Sequence, residues 1–197
     1  MTIELFLSLS GFAFVTSITP GPNNLMLMAS GANYGFRRTV PHMLGIGLGF
    51  VVMVVLVGAG IIGLLDAWPA LYWGLKVACL VYLLVLAWRI SGAEAPTGRK
   101  NARRPMRFWE AALFQWVNPK AWAMALSAVT IYAPSQSVGA VLLVALVFGA
   151  INLPSVSVWT LLGERVAMIL TSTRALQAFN RTMAILLVAS LVPVLMN

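Results

Sequence analysis

Long apolar runs separated by short polar gaps dominate the chain. Leu5 to Phe36 carries no charged residue and holds Pro20-Gly21-Pro22 in its middle. That is longer than one straight membrane span of about 20 residues requires, so the stretch predicts a single broken helix ending near Arg37-Arg38. Residues 41–65 form a predicted second span, rich in glycine (Gly45, Gly47, Gly49, Gly58, Gly60, Gly63), a composition that lets neighbouring backbones approach closely. A turn at Asp66-Ala67-Trp68-Pro69 leads into a third span, 70–90, with Tyr72 and Trp73 near one interface and Trp88 near the other.

Composition then shifts. Residues 91–107 hold Arg99, Lys100, Arg103, Arg104 and Arg107 with Pro96 and Gly98, a polar linker between two hydrophobic halves. A fourth span covers 108–132, a hairpin follows at Pro134 to Ser137, and a fifth span covers 138–162, interrupted at Asn152-Leu153-Pro154-Ser155. After Gly163-Glu164-Arg165 a weakly amphipathic stretch leads to a sixth span, 178–196. The pattern predicts an all-α membrane protein with one transmembrane domain over residues 1–197. It has three spans in 1–90, the basic linker 91–107, and three spans in 108–197. Three is odd, so the second unit enters from the opposite face and the repeat is inverted, with its first and fourth helices broken.

Sixty per cent of the residues are hydrophobic and 9% are charged, with a mean hydropathy of +0.91. A soluble domain carries about 25% charged residues, so the composition excludes a soluble enzyme, a secreted disulfide scaffold and a disordered tail. The net charge of +8 calls for no nucleic-acid partner, because the basic residues fall in the polar gaps and report orientation in the bilayer. Arg37 and Arg38, then Arg89 to Arg107, then Arg165, Arg174 and Arg181 mark the first, third and fifth gaps as cytoplasmic. The second and fourth gaps and both termini carry no Lys or Arg, which places the termini outside. Glu4 stands where a signal peptide would carry a basic residue, so no cleaved signal is expected. The single cysteine, Cys79, lies in an apolar run and is expected to serve packing.

The candidate chemistry sits at the two breaks, Thr19-Pro20-Gly21-Pro22-Asn23-Asn24 and Asn118-Pro119-Lys120. Proline removes a backbone donor, so each break leaves backbone groups to be met by another element or a ligand. Half-helices starting at Asn23 and Lys120 would each present an N-terminus worth about half a positive charge, and Lys120 adds a full one. An intramembrane charge costs from about 2.5 to more than 10 kcal/mol, so Lys120 needs a partner: a carbonyl cage or a substrate carboxylate. Thr19, Asn23, Asn24 and Gln115 offer the neutral oxygens an ammonium group seeks. Asn152 adds a hinge or a polar lining. No acid lies at this depth, and the inventory suits a zwitterionic amino acid better than a dibasic one.

Three further titratable residues each have two readings. His42 is a proton-coupling group or an interfacial, solvated histidine; Glu110 is a proton carrier or an acid at a helix start; Lys76 is functional or reaches the interface or Asp66.

Together, the proline motif at 19–24, Tyr34-Gly35-Phe36-Arg37-Arg38 leading into Gly45-Ile46-Gly47-Leu48-Gly49, and Asn118-Pro119-Lys120 resemble the LysE/RhtB superfamily of amino-acid exporters. Phe108-Trp109, Gln115 near Asn118, and Trp159 with Gly163 resemble its cysteine and O-acetylserine branch. The resemblance implies a protein of the bacterial inner membrane, and the count of basic residues then puts both termini in the periplasm. It also implies proton-driven export of amino acids or their derivatives without nucleotide hydrolysis or another cofactor, and the polar inventory at the breaks narrows these to neutral ones. It carries Pro20, Gly21, Pro22 and Asn23, and Asn118, Pro119 and Lys120, over as substrate-site residues. Monomer and homodimer both remain open. The alternative is a channel or an exporter of another solute class. An intramembrane enzyme lacks its acid pair or metal ligands.

Overall fold

A computed structural model of the chain describes residues 2–61, 63, 67–92, 104–135, 137–170 and 172–192. Among these, the regular structure is helical, with no strand. The turn at Asp66, most of the linker (93–103) and the last residues of the sixth span (193–197) lie outside the described residues.

The first predicted span is two helices, α1 (Ile3–Ile18) and α2 (Pro22–Tyr34), bent by 54° at the break between them. The Thr2 hydroxyl caps α1 by accepting from the Leu5 N–H at 3.3 Å. Gly35 ends α2 with φ 78° and ψ 167°, and α3 (Phe36–Gly58) begins at once. The second helix therefore starts five residues earlier than expected, with Arg37 and Arg38 in its first turn and Pro41 inside it. Two interactions make that start possible. The Phe36 N–H donates to the Glu164 carboxylate at 3.1 Å, and Thr39 Oγ1 donates to the Gly35 carbonyl at 2.9 Å. Pro41 stands in the second turn of α3, past the N–H groups that have no intrahelical partner, so its missing N–H costs the helix one bond.

Positive φ with extended ψ is a backbone region open almost only to glycine, and forcing another residue into it costs about 1–3 kcal/mol. Gly35→Ala should lower stability by that amount, seen as earlier thermal unfolding of the detergent-solubilised protein. An unchanged melting curve would show that the reversal tolerates a side chain.

The third predicted span is α4 (Pro69–Ser91). Its Trp73 and Trp88 are exposed, as interfacial residues would be. The fourth is broken as expected, into α5 (Phe108–Phe114), a 3-10 turn (Gln115–Val117) and α6 (Pro119–Tyr132).

The fifth is α7 (Val138–Ile169), and here the sequence expectation fails twice. The interruption at Asn152 to Ser155 is absent: α7 runs straight through Pro154, while the Ser155 and Ser157 hydroxyls donate to the Ile151 and Leu153 carbonyls at 2.8 and 2.7 Å. The helix also continues past Leu162, so Gly163-Glu164-Arg165 is helical. Glu164 extends from this added turn to Phe36.

The last helix, α8 (Thr173–Ala189), starts five residues before the expected sixth span because Ser172 caps it, accepting from the Ala175 N–H at 3.1 Å. Among the described residues, three helices are long and apolar enough to cross a membrane: Phe36–Gly58, Trp73–Ser91 and Val138–Ile169. The bent α1–α2 pair makes a fourth if it counts as one span.

Glycines set the packing. A Cβ on Gly31 would overlap the Thr160 carbonyl, and one on Gly163 would overlap the Met28 carbonyl. The axes of α2 and α7 can approach this closely only because both positions lack a side chain. Gly45 and Gly49 do the same for α3 against Phe108 and Ala112 of α5, whereas Gly47, Gly60 and Gly63 meet nothing within 4 Å. One apolar core (Leu9, Ala13, Phe50, Met53, Ala125, Phe148) joins α1, α3, α6 and α7. A second (Met26, Leu83, Phe114, Leu187) joins α2, α4, α5 and α8. The two helix breaks lie between these cores.

Candidate functional site

A helix leaves its last carbonyls without intrahelical donors. At the end of α1 these groups are met by side chains from three other elements. Asn24 Nδ2 donates to the Ser17 and Thr19 carbonyls, both at 2.8 Å. Trp159 Nε1, from α7, donates to the Ile18 carbonyl at 2.9 Å. Lys120 Nζ, from α6, donates to the Thr19 carbonyl at 2.6 Å. The ammonium therefore rests at the negative end of the α1 dipole, the favourable place for a cation. Among the described residues the Lys120 ammonium has this one carbonyl as its hydrogen-bond partner.

Both prolines that open half-helices stand at the first helical position, so the half-helices begin at Pro22 and Pro119, one residue earlier than expected. Proline's missing N–H is no loss there, because that N–H would have had no intrahelical partner. The breaks are thus fresh helix starts with extended residues before them. Asn118 is 1% exposed, and its Oδ1 caps α6 by accepting from the Lys120 N–H at 3.1 Å. No side chain caps α2. Its cap residue, Gly21, has φ −175°, extended backbone open to any residue; what it requires is space. A Cβ there would stand 2.7 Å from Lys120 Cδ and 3.2 Å from Nζ, so the lysine lies flat across the glycine.

Asn23 and Gln115 close the gap between the breaks with a reciprocal amide pair, at 2.9 Å from Asn23 Nδ2 to Gln115 Oε1 and 3.3 Å in return. Gln115 is fully buried and also donates to the Ala111 carbonyl at 2.8 Å. Asn152 reaches in from α7, its Nδ2 donating to Ser17 Oγ at 3.3 Å. Among the described residues its Oδ1 is buried without a partner.

Gly21, Asn23, Asn24, Gln115, Asn118, Lys120 and Asn152 line one cavity with Ser17, Phe50 and Met124. Pro20 is exposed and Thr19 contributes its carbonyl; its hydroxyl turns back to Val15. The cavity measures about 20 Å³, room for about one water molecule. The site is narrow, and among the described residues no acid lines it.

The three titratable candidates lie elsewhere. His42 and Glu110 line a second, larger cavity of about 360 Å³ toward the arginine-rich side, with Arg89 and Arg104. His42, in the second turn of α3, is 2% exposed. Glu110 accepts from the Arg107 N–H at 2.7 Å as a cap of α5 and forms a two-point ion pair with Arg104. Those hydrogen bonds raise the Arg104 guanidinium above its ordinary pKa. Lys76 lies 5.1 Å from the Trp73 ring centroid and lines neither cavity; Asp66 falls outside the described residues.

Ser17 and the Asn33–Asn180 pair escaped the sequence reading. Asn33 and Asn180 exchange side-chain hydrogen bonds at 2.7 and 3.0 Å and tie α2 to α8. Their signal was present, since two asparagines in predicted apolar helices need partners.

The family model of the LysE type translocator matches residues 14–194. The cysteine/O-acetylserine efflux protein of Salmonella typhimurium is 31% identical over 138 residues, 70% of each chain. Its namesake in Escherichia coli K12 is 30% identical over the same length and share. No solved structure matches the chain. A match across nearly the whole sequence, with the two motif breaks joined in one polar cavity, makes this protein a membrane transporter and a member of the LysE type translocator family.

Proposed function

We propose that the chain exports neutral amino acids or their derivatives, cysteine and O-acetylserine among them, from the bacterial cytoplasm across the inner membrane in exchange for protons. One observation carries this reading. Lys120 and Gly21, at the uncapped start of α2, line the same narrow cavity as Asn152, whose Oδ1 has no partner among the described residues. A zwitterion fits that pairing, its carboxylate between the lysine and the α2 amides and its ammonium on the asparagine oxygen. A dibasic substrate would want a carboxylate there, and the lining has none.

A cavity the size of one water admits an amino acid only after the breaks part. In this cycle the substrate carboxylate takes Lys120 from the Thr19 carbonyl, and the Asn23–Gln115 pair opens. Six spans in two inverted repeats, with both termini periplasmic, account for the matching halves: Pro22 opens α2 and Pro119 opens α6. His42, with no partner among the described residues, is the better candidate for carrying the proton, since Glu110 is engaged as a cap and ion pair.

Proteoliposomes loaded with labelled cysteine and given a pH gradient test the reading. Efflux should accelerate with the gradient and vanish when it is collapsed. Flux indifferent to the gradient would indicate a channel, and no flux would reject cysteine as cargo. In the same assay Asn152→Leu should raise the KM about tenfold, the worth of one hydrogen bond to a charged group. An unchanged KM would remove Asn152 from the ammonium site.

A further inference from the structure

The cavity toward the arginine-rich side has no role in a mechanism that uses the central cavity alone. At about 360 Å³ it falls within the range of small-molecule sites, about 300–1,000 Å³, whereas the central cavity measures about 20 Å³. It carries the Arg89 guanidinium beside the Arg104–Glu110 ion pair, so both signs of charge stand at its wall. It also holds His42, whose two ring nitrogens are buried without a hydrogen-bond partner among the described residues. A buried polar group left unsatisfied costs about 1–3 kcal/mol. An apolar side chain would serve packing better at this position, so the imidazole is suited to a partner that comes and goes.

The two cavities share a helix face. Met26, Ser30 and Asn33 of α2 line the larger one, and Asn23, one turn before Met26, lines the central one. Steps of three and four residues keep these side chains on one stripe. The Asn23–Gln115 amide pair stands where the stripe passes from one cavity to the other.

We propose that the larger cavity is a second substrate site, a loading site in which a small zwitterionic amino acid is held by His42 before it reaches Lys120. The substrate carboxylate accepts from the imidazole N–H in the positive field of Arg89, and its ammonium donates to a remaining lone pair of Glu110, which keeps its ion pair with Arg104. This inference rests on the exporter reading and adds a second position along the same path.

Equilibrium binding of labelled L-cysteine to the full-length chain in lipid nanodiscs tests it. The wild type should bind a second molecule per chain. His42→Leu should weaken that second site by roughly tenfold or more and leave the first intact, while Lys120→Ala should do the converse. His42→Gln, which keeps a donor and an acceptor, should retain both sites and guards against misfolding of the leucine variant. A single bound molecule that Lys120→Ala abolishes would overturn the loading site and leave the exporter reading standing, as would two sites indifferent to His42→Leu. No binding by the wild type would reject cysteine as cargo and this inference with it.

Discussion

Lys120→Ala is expected to reduce transport by roughly tenfold or more while the protein still inserts and remains monodisperse. Lys120 is half-buried; a hydrogen bond to a charged group is worth about 1.5–3 kcal/mol, and each 1.4 kcal/mol is about a factor of ten. In the closed state the loss is softened, because the Thr19 carbonyl keeps the Asn24 side chain as a second donor at 2.8 Å. The substrate carboxylate has no such substitute: the α2 amides remain, but the full charge is gone. The effect should therefore fall on turnover and affinity far more than on folding. Lys120→Arg would keep the charge, but its fixed fork of donors cannot reproduce the single ammonium contact to the Thr19 carbonyl, so partial activity is expected. Wild-type rates in a well-inserted Lys120→Ala protein would remove the lysine from the substrate site.

The second large effect is structural. Gly31→Ala would drive a methyl group into the Thr160 carbonyl. Overpacking against side chains costs about 1–3 kcal/mol because they can shift; here the obstacle is the backbone of α7, so the cost should reach or exceed the top of that range. α2 would be pushed off α7, and its N-terminus with it, away from Lys120. Yield of the monodisperse species on size-exclusion chromatography should fall steeply. Gly11 and Gly47, both helical and with nothing within 4 Å of a Cβ position, provide the control. Alanine there should be neutral or stabilising, by up to about 1 kcal/mol from helix propensity. Equal loss at all three glycines would mean that the tight α2–α7 contact is not what Gly31 provides.

The parts of this architecture legible in the chain were those written in local chemistry. Proline beside glycine and asparagine announced both breaks, because proline cannot continue a helix interior, and a lysine with no acid at its depth announced a need for a partner. What the partner was could not be read. The Thr19 carbonyl lies 101 positions away along the chain, and only tertiary packing brings the end of α1 to the start of α6. Boundaries failed wherever a distant side chain decided them. Glu164 starts α3 at Phe36, and Gly163 lets α7 run on against α2, so the expected gap at residues 163–165 became helix. Pro154 misled for a related reason: a proline's local signal is the same whether the helix breaks or, as here, continues past it. The proline motifs thus located the site, and the cavity that His42 lines emerged only from the fold.

The central claim is that the two helix breaks face each other across a space that must open for each substrate molecule to pass. Asn23→Cys paired with Gln115→Cys, in a Cys79→Ala background, tests it with a short bifunctional thiol reagent applied to membranes. Bridging should stop transport, cleavage of the bridge should restore it, and bound substrate should slow the bridging reaction. Full transport by the bridged protein would contradict a pathway through this site.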